Sequence, residues 1–80
     1  MLRDYFSAAL HRAQYEILSD DGSFYGEIPT FEGVFANSAS LEECRDELEE
    51  VLEAWVFFRI SRNLPLPEVD GHQLQIRKVG

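Results

Sequence analysis

The changing hydrophobic period along this chain predicts an α+β fold: a two-layer sandwich in which one long helix lies on a small sheet, with a short N-terminal helix besides. Three observations predict it. Apolar residues spaced three and four apart over Leu2–Leu10 give way to alternation after Gln14. A capping pattern at Ser40 and Glu43 opens a second helical stretch. Alternation then returns after Asp70-Gly71. The expected sheet is a three-stranded antiparallel meander plus a fourth strand. Eighty residues make one domain, 1–80, with residues 1–13 as the amphipathic helix and 14–80 as a β-β-β-α-β core.

Leu2, Tyr5, Phe6, Ala9 and Leu10 recur at i, i+3, i+4, i+7 and i+8 and form one face of a helix. A helix this short is marginal alone, so it must dock on its own domain or on another subunit. Tyr15 to Leu18 reads as a strand, and Ser19-Asp20-Asp21-Gly22-Ser23 as a turn. Phe24 to Ile28 returns, and Pro29, with no N–H, ends the pairing. Gly33 begins a third strand, Val34 to Asn37. Links this short make the three strands a meander.

Ser40 with Glu43 three residues on is a capping box, and Glu42 and Glu43 suit the positive end of a helix. Leu41, Cys44, Leu48, Val51, Leu52, Trp55 and Phe58 keep a spacing of three and four and are the expected buried stripe. Leu64-Pro65 stops the helix, because a residue before proline avoids the helical region. Pro65-Leu66-Pro67 is a stiff connector to the Asp70-Gly71 turn. His72 to Val79 alternates as a fourth, half-buried strand.

The charge narrows the partners. Net charge is −8 and the isoelectric point about 4.5. Phosphate backbones and anionic membranes are repelled, so no direct nucleic-acid binding by this chain alone is expected, while a basic protein is attracted. The hydrophobic content of 45% supports a folded core. A single cysteine, the lack of a signal-peptide pattern and the lack of a long apolar run predict a cytoplasmic protein that spans no membrane.

Catalytic chemistry finds little support. Cys44 lies on the inner stripe among acids, which suits a buried small hydrophobe better than a nucleophile. His11 and His72 lack ligand spacing to each other or to Cys44, so no metal site and no cofactor are expected. Asp20, Asp21 and Asp70 all fall in turns, where aspartate bonds its own backbone. The reading is of a protein that is not an enzyme.

Two surfaces remain. Glu42, Glu43, Asp46, Glu47, Glu49, Glu50 and Glu53 crowd one helix against Arg45 alone. Such a run is a solvated face or a surface complementary to a basic partner. From Trp55 to Ile60 the helix turns apolar almost all round, which requires burial on two sides. Phe57 therefore belongs at a subunit interface or beneath residues 2–10.

The order and punctuation of these elements resemble the HicB-type antitoxin family. The matching pieces are Asp20-Asp21-Gly22, Glu27-Ile28-Pro29, Phe31-Glu32-Gly33, Ser40-Leu41-Glu42-Glu43 and Leu64-Pro65-Leu66-Pro67. The resemblance implies a truncated ribonuclease-H-like sheet with one long helix, usually self-associating. It implies an antitoxin that masks a small, basic, RNA-cleaving toxin of the HicA type. The alternative is a stand-alone oligomeric scaffold or regulator. The family often has Gly-Cys where this chain has Gly33-Val34, and Gly-Asp-Thr where it has Asn37-Ser38-Ala39-Ser40. The DNA-binding extension of many members is not expected here. Glu43, Asp46, Glu47, Glu50 and Phe57 are the expected partner-binding residues. Leu2, Tyr5, Phe6 and Phe57 are expected to bring copies together as a dimer or tetramer.

Overall fold

The computed structural model describes residues 2–71. It contains α1 (Leu2–His11), β1 (Gln14–Ile17), β2 (Phe24–Glu27), β3 (Phe35–Ser38) and α2 (Leu41–Ser61). The strands form an antiparallel meander in the order β1-β2-β3, as their short links predict. Boundaries differ from the sequence reading by about one residue. The fourth strand expected over 72–79 lies outside the described residues.

Register follows from the pairings Tyr15 with Gly26 and Gly26 with Ala36, so these three residues share one face of the sheet. That face lies under α2. Cys44 fits there because its neighbours are small: its Sγ stands 3.7 Å from the Ala36 carbonyl oxygen. A Cβ added to Gly26 would meet the Tyr15 ring at 2.7 Å and Cys44 Sγ at 3.1 Å. Glycine at 26 thus lets the tyrosine and the helix close over the middle strand.

The helix buries Cys44, Leu48, Leu52 and Val56, a line of i, i+4 steps, with Val51 and Trp55 half-buried beside it. Two members of the expected stripe are corrected. Leu41, in the first turn, and Phe58 are exposed, at 40% and 54%. Phe58 is two residues past Val56, hence about 200° round the helix from the buried line.

The start of α2 is capped as expected: the Glu43 N–H donates to Ser40 Oγ at 3.1 Å, and the Ser40 hydroxyl donates to the Glu43 carboxylate at 3.0 Å. Its end falls earlier than a proline stop requires. Asn63 takes φ +57°, the Asn63 N–H donates to the Ile60 carbonyl at 3.1 Å, and the Leu64 N–H to the Arg59 carbonyl at 2.9 Å. This is a Schellman closure, and a left-handed asparagine terminates the helix before Pro65 acts.

The N-terminal helix docks on its own domain. Tyr5, Ala8 and Ala9 are buried, and Tyr5 meets Phe31 edge-on at 6.1 Å while Phe31 meets Trp55 at 5.1 Å. The connector after α2 is pinned back across the molecule. Arg59 Nε donates to the Pro65 carbonyl at 2.9 Å, the Tyr5 hydroxyl to the Pro67 carbonyl at 2.5 Å, and Arg12 Nε to Asp70 at 2.8 Å. Val69 is buried behind it.

Candidate functional site

The long helix distributes its acids into two rows, because steps of four and three keep to one side of a helix. Glu42, Asp46, Glu49 and Glu53 form the row that faces α1. With Phe6, Leu10 and Tyr15 they line an open groove of about 700 Å³, in which Arg3 and Arg45 answer part of the charge. Burial raises the Tyr15 phenol, against the opposing pull of Arg45.

The second row is Glu43, Glu47 and Glu50. Glu43 caps the helix, and Glu47 accepts a hydrogen bond from the Ser38 hydroxyl at 2.6 Å. The expected partner-binding acids are therefore divided. Asp46 lies in the groove, while Glu43 and Glu47 are engaged at the junction of β3 and α2.

The apolar residues divide too. Tyr5, expected to join copies together, is 1% exposed inside the chain's own core, so it presents no surface. Alanines 8 and 9 let α1 approach closely enough to bury it. Leu2 is exposed, and Phe6 packs against the core while touching Phe57 edge-on at 6.4 Å. Phe57 nevertheless remains 54% exposed, so α1 covers only part of the all-round apolar turn.

Cys44 is buried, and its thiol is pushed up, first by burial and then by the Glu47 charge, away from the thiolate a nucleophile needs. The turn aspartates are occupied locally. Asp21 accepts the Ser23 N–H at 2.9 Å, and the Ser23 hydroxyl first and that N–H second hold its carboxyl below the ordinary range, while Asp70 pairs with Arg12. Among the described residues, no three His, Cys, Asp or Glu side chains gather where they could hold a metal ion. No helix among them is long and apolar enough to cross a membrane.

Sequence reasoning missed the far side of the sheet. Strand alternation turns Glu16, Tyr25, Glu27 and Phe35 away from α2, since Gly26 and Ala36 face it. The Tyr25 and Phe35 rings stack at 6.3 Å with planes 26° apart. Partial burial raises the Tyr25 phenol, and the carboxylates of Glu27 and Glu16 raise it further. The signal was present in the parity of β2, where Tyr25 and Glu27 interleave with Phe24, Gly26 and Ile28.

Comparison with known proteins fits this geometry. The crystal structure of TTHA0281 from Thermus thermophilus is similar throughout, with 35% sequence identity and a TM-score of 0.88. That match covers 96% of this chain and 95% of the other. No curated protein matches the chain. Residues 4–67 match the UPF0150-like family. With the match running from α1 through the connector that follows α2, this chain belongs to the UPF0150-like family, a HicB-related, antitoxin-like group.

Proposed function

We propose that the protein is an antitoxin-like binding module that neutralises a small, basic, RNA-cleaving toxin of the HicA type by masking its surface. The observation that carries this reading is the acidic row Glu42, Asp46, Glu49 and Glu53, set along a groove that also holds Phe6, Leu10 and Tyr15, in a chain of net charge −8. A basic partner meets complementary charge there, beside the apolar side chains of Phe6 and Leu10. The module acts in the cytoplasm, without catalysis, cofactor or membrane, and does not itself hold nucleic acid. In this reading the three-stranded meander with α2 across it is the core of a truncated ribonuclease-H-like fold.

Co-expression with the small basic product of a neighbouring reading frame, then affinity capture and an RNA-cleavage assay, tests it. Capture together with loss of cleavage is the expected result. Free cleavage at every salt concentration overturns it.

A second reading, a stand-alone oligomeric scaffold or regulator, draws on the exposed Phe57 and Phe58 of α2 and Leu2 of α1. Like charges over the rest of the surface make this apolar end of α2 the favoured meeting place of two copies. Light scattering on wild type and Phe57→Ser checks it. An oligomer that the substitution dissociates is expected, and a monomer in both samples removes this reading.

A further inference from the structure

We propose that the face of the sheet turned away from α2 is a docking site for arginine side chains of a cationic protein, in which Tyr25 and Phe35 stack on a guanidinium and Glu16 and Glu27 accept its hydrogen bonds. The inference rests on the reading above that the partner is basic, and it names a different surface and a specific side-chain chemistry.

Register builds the site. Glu16 pairs with Tyr25, and Glu27 pairs with Phe35, so two carboxylates and two rings occupy adjacent positions on one face. The ring contact is the diagonal between the two rows, within reach of aromatic side chains. Phe35 is 56% exposed, an unusual position for a phenylalanine whose ring is already fixed by a neighbour. Shallow depressions lie on both sides of the Tyr25–Glu27 ridge. One, of about 250 Å³, is bordered by Gln14, Glu16, Tyr25 and Glu27. The other, of about 330 Å³, is bordered by Glu27, Glu32 and Phe35. Each depression thus offers an aromatic wall and carboxylates together.

Arginine fits this arrangement better than lysine. Its planar guanidinium stacks on a ring and donates in a fork to a carboxylate, while an ammonium is a compact and strongly hydrated charge. A second copy of this chain fits poorly, because Glu16 and Glu27 of one copy would meet their own kind on the other. Asn37, the third residue of the Glu16–Tyr25 row, donates its amide to Ser23 Oγ and the Phe24 carbonyl, both at 2.9 Å, and so steadies the edge of the platform.

The test uses the full chain with hexa-arginine and hexa-lysine peptides as probes of equal charge. Hexa-arginine should bind about threefold or more tightly than hexa-lysine. Phe35→Ala and Glu27→Gln should each abolish that preference, and Glu27→Gln keeps the side-chain shape, so folding is not at issue. A triple Glu43→Gln, Glu47→Gln, Glu50→Gln variant should weaken both peptides equally and leave the preference standing. Equal binding of the two peptides by wild type, a preference that survives Phe35→Ala and Glu27→Gln together, or self-association abolished by Phe35→Ala would each overturn the site. Capture of a basic ribonuclease undiminished by those two substitutions sinks the sheet site and leaves the antitoxin reading intact. A sheet-dependent arginine preference in a chain that captures no toxin supports the site and sinks the antitoxin reading instead.

Discussion

Gly26 is where one missing carbon decides most. The Tyr15 ring and Cys44 Sγ occupy the space a Cβ would need, and Cys44 is fully buried and cannot retreat. Gly26→Ala should therefore destabilise by about 1–3 kcal/mol, the usual cost of overpacking. Urea unfolding should show a lower midpoint with an unchanged slope. Asp21 makes a different prediction. Its native carboxyl lies below the ordinary value of about 3.9, because Ser23 donates to it. Its contribution to stability is complete above about pH 4 and is lost as pH falls through the lowered native value. Asp21→Asn should show a shallower loss of stability between about pH 4 and pH 2 than wild type. Equal slopes would refute the assignment. The turn role of Asp21 was legible in its residue type and position, whereas that of Gly26 was not. Gly26 looked like an ordinary strand residue, since its partner Tyr15 lies eleven positions away and only register brings them together.

Helix ends and strand order were far more legible, because they depend on neighbours in sequence. Ser40 and Glu43 announced the start of α2, and Gly22 with two aspartates announced the hairpin between β1 and β2. The far end of α2 was read from proline, whereas Asn63 closes it in a left-handed conformation that only its side-chain type and glycine adopt cheaply. Ser40→Ala should cost about 1 kcal/mol. Asn63→Ala should cost about 1–2 kcal/mol, with Asn63→Gly close to neutral. Thermal melts of the three variants check both caps in one series. The buried stripe was legible in its middle and wrong at Leu41 and Phe58. A repeat of three and four counts residues near one side, while the i, i+4 line through Cys44 and Val56 drifts round the helix as it advances.

Charge is a property of the whole molecule, and its sign was plain from composition while its layout was not. The sequence showed seven acids in one helix; the packing of α1 alone determines that Glu42, Asp46, Glu49 and Glu53 look into a groove. Replacing those four by their amides should slow association with a basic partner about tenfold at low ionic strength. Stopped-flow mixing should show the difference fading as added salt shortens the Debye length. The site residues named from sequence were scattered for the same reason: a helical wheel does not reveal which rim a neighbouring helix will occupy.

The hydrogen bonds that hold the connector against α1 join residues 62 and 58 positions apart. Contacts of such separation close very long loops among the described residues, and their entropy is recovered only once the hairpins and α2 already exist. They should accordingly be absent from the rate-limiting barrier. Tyr5→Phe should steepen nothing in the refolding limb of a chevron yet lift the unfolding limb, so that the seam between the two ends of the chain sets the lifetime of the native state rather than the speed of reaching it.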